Sequence, residues 1–280
     1  MKIANRAVFF ASAVLLLCVA APGIGWAQEP AKEYEPSVGQ EGKDVIWVPT
    51  PDYLVEAMLD MAKVTTDDFL MDLGSGDGRI VIAAAKRGVR AVGFEFNPDM
   101  VALSKKNAEK AGVSDKASFV NADIFETDFS RATVITMYLL PHLNLKLRPI
   151  ILDLKPGTRI VSHAFTMGEW AADQTVEKEY RTAYLWIVPA KVEGVWKWQD
   201  ESGKAELSLT QEFQNLKGTL KVDGKERPLK ALKIEGDRIS FSGGDCEYAG
   251  RANGHAIDGT VKLNGREQKW SASLQQLVKR

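Results

Sequence analysis

The chain has 280 residues, with 36 Lys and Arg against 37 Asp and Glu, a formal net charge of −1 and 45% hydrophobic residues. That length accommodates two domains with ordinary cores. The balanced charge contains no basic block, so no extended phosphate-binding face and no nucleic-acid partner are indicated. Two cysteines, Cys18 and Cys246, make no disulfide framework, and no metal site is expected.

Residues 1–27 read as a signal peptide. Lys2 and Arg6 precede a charge-free stretch from Ala7 to Ala27. Pro22 and Gly23 break the apolar run before it reaches the ~20 residues of a comfortable membrane span. Gly25-Trp26-Ala27 suits signal peptidase, with Gln28 as the mature start; an uncleaved anchor is the alternative. The expected location is therefore the periplasm, or the inner membrane facing it, and the membrane enters only through this leader. A cytoplasmic chain requires a mis-assigned start, and Met58 comes too late, because it would remove Thr50 and Pro51. Loss of Lys2 and Arg6 takes the formal charge from −1 to −3 and leaves Cys246 as the one cysteine. Residues 28–44, rich in Glu, Lys, Pro and Gly, read as a flexible tether.

From 45 to 190 helix and strand patterns alternate, as a parallel doubly wound sheet requires. Helices are expected over 52–61, 79–87, 98–111 and 144–154. Strands are expected over 69–73, 91–95, 118–121, 133–138 and 159–163, then 175–179 and 183–188 as an antiparallel hairpin at the sheet edge. Thr50 reads as the N-cap of the first helix, with Pro51 at its first position. Lys155-Pro156-Gly157 is the turn before the fifth strand.

The most informative segment joins the first strand to the second helix. The apolar run Phe69-Leu70-Met71 ends in Asp72-Leu73, crosses Gly74-Ser75-Gly76-Asp77-Gly78 and re-emerges as the helical pattern Ile80-Val81-Ile82. Glycines let the backbone take positive φ and approach a ligand closely, and the following helix offers unpaired N–H groups. The spacing is G-x-G-x-G, not the dinucleotide pattern G-x-G-x-x-G. A carboxylate at Asp72 repels a pyrophosphate but suits a ligand with an ammonium group, which points to S-adenosylmethionine. Two further acids close apolar strands. Glu95 lies ~20 residues past the loop, where a ribose diol is gripped. Asp123 suits the adenine amino group, with Ile124 or Phe96 packing on the ring.

On these motifs the segment 46–189 resembles class I S-adenosylmethionine-dependent methyltransferases. The run from Asp72 to Val81, preceded by Val48-Pro49-Thr50-Pro51 and a helix, is similar to the mitochondrial-type protein-lysine methyltransferases that modify ATP synthase and the adenine nucleotide translocase. The resemblance covers about half of the chain. It implies a Rossmann-like seven-stranded sheet and S-adenosylmethionine as cofactor. It assigns Asp72, Gly74 and Gly76 to the methionine end, and Ser75 and Gly78 of the same loop are further cofactor-binding candidates. Glu95 goes to the ribose, with Asn97 beside it, and Asp123 to the adenine; the Thr50 hydroxyl meets the cofactor carboxylate. The fourth strand ends in Tyr138-Leu139-Leu140-Pro141-His142, where amine methyltransferases place the acceptor nitrogen. Relatives often carry an Asn-rich or Asp-Pro-Pro-Tyr-like motif there, and this chain lacks the amide. Tyr138 and His142 are the catalytic candidates, as groups that take the amine proton or orient the amine. His163 is expected to be a packed or surface residue.

Residues 191–280 change pattern. Apolar residues recur at every second position, as in Ala205, Leu207, Leu209 and Trp270, Ala272, Leu274, which is the half-buried strand signal. Asp223-Gly224, Gly236-Asp237, Asn253-Gly254 and Asn264-Gly265 read as hairpin turns. About eight short strands are expected in a small all-β meander or barrel, and Gly194-Val195-Trp196 weakly resembles the opening of lipocalin-like barrels, with Trp196 plugging the floor. The whole chain thus reads as S-adenosylmethionine-dependent methyl transfer to a protein lysine or another small amine. The competing reading is an exported, non-catalytic S-adenosylmethionine-binding protein with the barrel as its recognition module. Oligomeric state is not readable.

Overall fold

The computed structural model describes residues 34–276. The leader expected over 1–27 and residues 28–33 of the expected tether lie outside the described residues.

The first part of the chain forms α1 (Asp52–Met61), β1 (Phe69–Leu73), α2 (Arg79–Lys86), β2 (Arg90–Glu95), α3 (Pro98–Lys110), β3 (Ala117–Asn121), β4 (Val134–Met137), α4 (Pro141–Leu152), β5 (Arg159–His163), β6 (Gln174–Lys178) and β7 (Arg181–Ile187). Its seven-stranded sheet has the order β3-β2-β1-β4-β5-β7-β6. The first five strands are parallel, and β7 runs antiparallel to both β5 and β6. Leu70, Met71, Leu73 and all of β4 are buried, because helices cover both faces of a parallel sheet and its inner strands become continuous apolar runs. On one face α1 and α2 bring Leu54, Met58, Ile80 and Val81 into a common core. On the other, Leu143, Leu147 and Ile151 of α4 pack with Trp170 and Trp186. The chain leaves β1 for β2 on one side and later takes up β4 on the other, so a crevice opens beyond the carboxyl ends of these strands.

At the opposite end of the sheet, Asp68 ties three strands together. It accepts the Thr133 hydroxyl at 2.7 Å and the Thr65 N–H at 2.8 Å, and it pairs with Arg159. Burial works against the ionised form, but Thr133, Thr65 and Arg159 outweigh it and hold the carboxyl below its ordinary value.

Three local expectations need correction. Thr50 does not cap α1: the N-cap is Pro51, without a side-chain hydrogen bond, and the Thr50 hydroxyl is engaged elsewhere. Helix α4 starts at Pro141, three residues before the expected 144, because Leu140 is extended and proline at the first helical position is itself a start signal. The expected tether is also folded over part of its length. Gly39 N–H bonds Trp47 O, Trp47 N–H bonds Gln40 O and Gly42 N–H bonds Val45 O, each at 2.9 Å. Residues 37–47 therefore form a tight strap with Lys43 at its tip.

The second part is a nine-stranded antiparallel sheet: β8 (Gly194–Asp200), β9 (Gly203–Glu212), β10 (Asn215–Val222), β11 (Lys225–Arg227), β12 (Leu229–Glu235), β13 (Arg238–Gly243), β14 (Cys246–Asn253), β15 (Ala256–Leu263) and β16 (Arg266–Gln276). One more strand is present than the pattern suggested. Pro228, which has no N–H to give a ladder, separates β11 from β12. The last strand returns to pair with the first, giving the order β11-β10-β9-β8-β16-β15-β14-β13-β12. The sheet is a nearly closed barrel: across its seam a Cβ at Gly243 would lie 2.1 Å from Leu220 of β10. Three of the four expected turn dipeptides sit between consecutive antiparallel strands; at the fourth, Asn253 still pairs with Ala256 at the end of β14, and the turn is Gly254-His255. The interior is filled. Trp198 stands within 5.3–6.1 Å of the rings of Phe241, Tyr248 and Trp270, and Trp196 is fully buried with its Nε1–H on Val192 O at 2.8 Å.

The barrel docks on the loop that follows β5. Phe213, in the β9–β10 turn, stacks on Trp170 at 6.0 Å, and Gln214 donates to Ala171 O at 2.7 Å.

Replacing Asp68 with Asn is expected to lower stability by on the order of 3 kcal/mol near neutral pH, because Arg159 loses its carboxylate and keeps only the carbonyls of Ala62 and Lys63. The wild-type contribution is complete above the ordinary carboxylate value of about 4 and is lost as pH falls through the lower folded-state value. Urea unfolding of both proteins across acid pH would show the two curves converging.

Candidate active site

The crevice beyond the strand ends holds a cavity of about 280 Å³ lined by the strap, the glycine loop, the ends of β1 and β2 and the segments that follow β3, β4 and β5. Its deep end is Asp72. Register pairs Asp72 with Thr136 of β4, and the Thr136 hydroxyl donates to Asp72 Oδ1 at 2.7 Å. Among the described residues no Lys or Arg forms an ion pair with this carboxylate, which is only 2% exposed. Burial pushes its pKa to about 7; Glu95 and Asp77 push the same way, and Thr136 pulls it back. The loop turns directly above it. Gly74 and Gly76 have φ of +77° and +53°, and the N–H groups of Gly74 and Ser75 both bond Phe94 O, at 2.9 and 3.0 Å. A Cβ at Gly76 would come within 2.7 Å of the Trp47 indole nitrogen on the strap.

Ser75 lines the cavity, although its buried hydroxyl has no partner and packs against Gly93, where a Cβ would lie 2.5 Å from it. Gly78 is not part of the lining. It is the left-handed N-cap of α2, and a Cβ there would meet the Phe119 ring at 2.6 Å and Ser104 at 2.8 Å. Its job is close helix–sheet packing.

The outer end gathers the other predicted residues. Glu95 accepts two backbone N–H groups, from Gly76 at 3.0 Å and Asn97 at 2.9 Å, and so joins the glycine loop to the start of α3. Asn97 caps α3 through its side chain on Asp99 N–H. Phe96, half exposed, presents its ring to the cavity together with Ile124 and Asp123. The strap closes over them. Lys43 forms an ion pair with Asp123 and stands 4.7 Å above the Phe96 ring. That bond, followed by the Phe125 N–H, holds the Asp123 carboxyl below its ordinary value.

The third region lies where β4 and β5 end. Tyr138 lines the cavity and stacks on His163, ring centroids 3.8 Å apart, with Phe165 at 6.2 Å. Ala164 between them takes φ of +65°, a strained backbone for a residue with a Cβ. His163 lies beneath Tyr138, fully buried, with Nδ1 3.0 Å from the Thr50 hydroxyl and no partner for Nε2. Burial, then the charge of Arg181, lowers its pKa to about 4, so the ring is neutral. Thr50 itself lines the cavity, and Leu139, Leu140 and Leu143 complete an apolar wall. His142 is not there. Helix α4 turns Leu143, Asn144, Leu147 and Ile151 inward, which leaves His142 facing solvent on the far side.

Known proteins match this arrangement. A family model described as the ANTKMT methyltransferase domain matches residues 72–174. A protein-lysine N-methyltransferase of Saccharolobus islandicus (strain REY15A) is 44% identical over 151 residues, which are 51% of this chain and 94% of that protein. The chain belongs to this methyltransferase family. The methyltransferase is also 36% identical over 123 residues to a mouse (Mus musculus) lysine N-methyltransferase named for a subunit of ATP synthase, covering 44% of this chain and about half, 50%, of that relative. A solved structure, described as an RNA methyltransferase from Salinibacter ruber in complex with S-adenosyl-L-homocysteine, is 54% identical with a TM-score of 0.51, covering 52% of this chain and 96% of the other. The methyltransferase is therefore a class I enzyme whose cofactor is S-adenosylmethionine.

Sequence reasoning missed Lys43, Trp47, Phe165 and the buried place of His163 against Thr50. Trp47 carried a signal, as the bulkiest residue of the apolar run Val45-Ile46-Trp47-Val48 just before the first helix.

Asp72 stores a pH-dependent cost. Its folded-state pKa is raised, so the folded chain holds a proton that the unfolded chain has released, and stability falls as pH rises from about 4 to about 7. Asp72→Asn keeps an acceptor for Thr136 and removes the buried charge. The variant is expected to be more stable than wild type by on the order of 2–4 kcal/mol above pH 7, with the gain disappearing toward pH 4. Thermal melts of the ligand-free proteins across this range would measure it.

Proposed function

We propose that this methyltransferase transfers a methyl group to the side-chain nitrogen of a protein lysine. The observation that carries the reading is the division of the cavity. One side offers the charged and amide groups that a cofactor needs, and the other is an apolar, aromatic-walled recess of Tyr138, Phe165, Leu139 and Leu140.

The residues suit the cofactor. Asp72, buried without a cationic partner, faces an ammonium group. Glu95 exchanges its bonds to Gly76 and Asn97 for ribose hydroxyls. Asp123 takes the adenine amino group in place of Lys43, and Phe96 and Ile124 pack on the base. When bound, S-adenosylmethionine supplies a methyl group already activated on sulfonium for in-line displacement. The chain's own work is alignment and exclusion of water. An aromatic recess receives the aliphatic stem of lysine and disfavours the ammonium form, since desolvation lowers the pKa of a buried amine. The Tyr138 hydroxyl orients the neutral nitrogen toward the methyl group. Transfer there would join carbon to nitrogen as the carbon–sulfur bond of the cofactor breaks, and the recess would release the excess proton to solvent.

The relatives named for lysine methylation support this choice. The Salinibacter ruber protein is described as acting on RNA, and here the net charge of −1 argues for a protein. Incubation of the purified enzyme with methyl-labelled S-adenosylmethionine and cell extracts is expected to label a protein band that survives ribonuclease and disappears with protease. Peptide mass spectrometry should place the label on lysine, and Asp72→Asn should lose it. Label confined to RNA would overturn the lysine reading.

We also propose that the enzyme acts outside the cytoplasm. The support is the charge and apolar pattern of residues 1–27 alone. N-terminal sequencing of the protein recovered from the periplasmic fraction is expected to begin at Gln28; a chain found intact from Met1 in the cytosol would overturn it.

A further inference from the structure

We infer that His163 is a positioning residue for the amino-acid end of the cofactor, acting through the hydroxyl of Thr50. The inference rests on the reading that Asp72 and Gly74 receive the methionine end.

Thr50 is held from two directions. Its carbonyl accepts Arg79 Nη1 at 3.0 Å, and Arg79 is itself fixed by two bonds to Asp77, Nε to Oδ1 at 3.0 Å and Nη2 to Oδ2 at 2.6 Å. Its hydroxyl, on a residue only 3% exposed, meets His163 Nδ1 at 3.0 Å. The arrangement has the look of a support, because His163 touches no cavity space of its own and lies under the Tyr138 ring.

The tautomer decides what Thr50 offers. A neutral imidazole carries one N–H and one lone pair, and Nε2 is buried without a partner. A buried N–H with no acceptor is rarer and costlier than a buried lone pair with no donor. The proton therefore sits on Nδ1 and is donated to the Thr50 oxygen. With that oxygen accepting, the Thr50 hydrogen must point elsewhere, and no other acceptor is bonded to this hydroxyl among the described residues. It is left as a fixed donor on the cavity wall, on the same lining as the Asp72 carboxylate. An α-amino acid presents one ammonium and one carboxylate. Asp72 answers the first, and Thr50, held in one orientation by His163, answers the second.

The test separates this role from packing by choosing ligands that differ only at that end. S-adenosylhomocysteine carries the amino-acid group; 5′-methylthioadenosine lacks it. His163→Phe keeps a ring beneath Tyr138 and removes the donor, and Thr50→Val removes the hydroxyl at equal volume. In calorimetry each variant is expected to bind S-adenosylhomocysteine about tenfold more weakly, as for a lost hydrogen bond to a charged group. The double variant should be no weaker than Thr50→Val alone, Thr50→Ser should stay near wild type, and methylthioadenosine should bind all of them equally. Equal weakening for both ligands, or full S-adenosylhomocysteine affinity in His163→Phe, would overturn the inference. If Thr50→Val and Asp72→Asn also bind S-adenosylhomocysteine normally, the placement of the methionine end fails as well. Nitrogen NMR of the wild-type protein, which has 3 histidines, gives an answer that needs no variant. Nδ1 of His163 should be protonated and Nε2 bare, and the reverse would overturn the inference.

Discussion

A carboxyl group at the carboxyl end of β1 lies inside a parallel sheet with one threonine hydroxyl as its partner. Everything near the cavity is arranged around that choice. An apolar side chain at Asp72 would satisfy the packing of the sheet, whereas burial, with Glu95 and Asp77 nearby, raises the pKa of the carboxyl to about 7 against the pull of Thr136. The sheet therefore carries a group that is costly when ionised, at the point where strand order reverses and a crevice opens. The glycine loop turns above it with positive φ at Gly74 and Gly76, which brings backbone close to the cavity. A cationic ligand end converts the cost into an attraction. The same electrostatics explains why the loop lacks a dinucleotide spacing: a pyrophosphate in this position would face a second negative charge.

Much of this was legible before any coordinates. Strand periodicity, the glycine spacing and an acid closing each of three strands are local signals, and the sheet places Asp72, Glu95 and Asp123 around one cavity. The barrel was also readable, because alternation and the four Asx-Gly or Gly-Asp dipeptides are short-range features. What local signals do not carry is tertiary. Thr50 has the composition of an N-cap, yet its hydroxyl is taken by His163, 113 positions away. His142 sits one residue from a buried leucine, and helix phase alone sends it outward. Gly78 belongs by spacing to the ligand loop, but the Phe119 ring is what forbids a side chain there. The strap over 37–47 has the polar, glycine-containing composition of a tether. It is ordered by a lysine that finds Asp123 80 residues along the chain.

The two sheets solve different problems. The parallel sheet leaves a crevice because its helices cannot cover the strand ends. The antiparallel one closes nearly on itself and packs Trp198, Phe241, Tyr248 and Trp270 ring against ring in its interior. About half of this chain accounts for nearly all of the Saccharolobus and Salinibacter relatives, and the matched family region ends at residue 174, well before the barrel begins.

The segment from Ala164 to Ala171 belongs to both parts. At one end Phe165 walls the apolar recess, and Asn144 holds the carbonyls of Phe165 and Thr166. In the middle, Arg148 grips the carbonyl of Met167 and the side chain of Glu169, and its guanidinium lies over Phe213 of the barrel. At the far end Trp170 and Ala171 rest on Phe213 and Gln214. The width of the recess is thus set by a span anchored on two foundations, one of them outside the catalytic sheet. Only a few residues of backbone separate the barrel contact from the aromatic wall, so on the proposed lysine reading the fit of the acceptor would depend on the whole chain and not on the methyltransferase sheet alone.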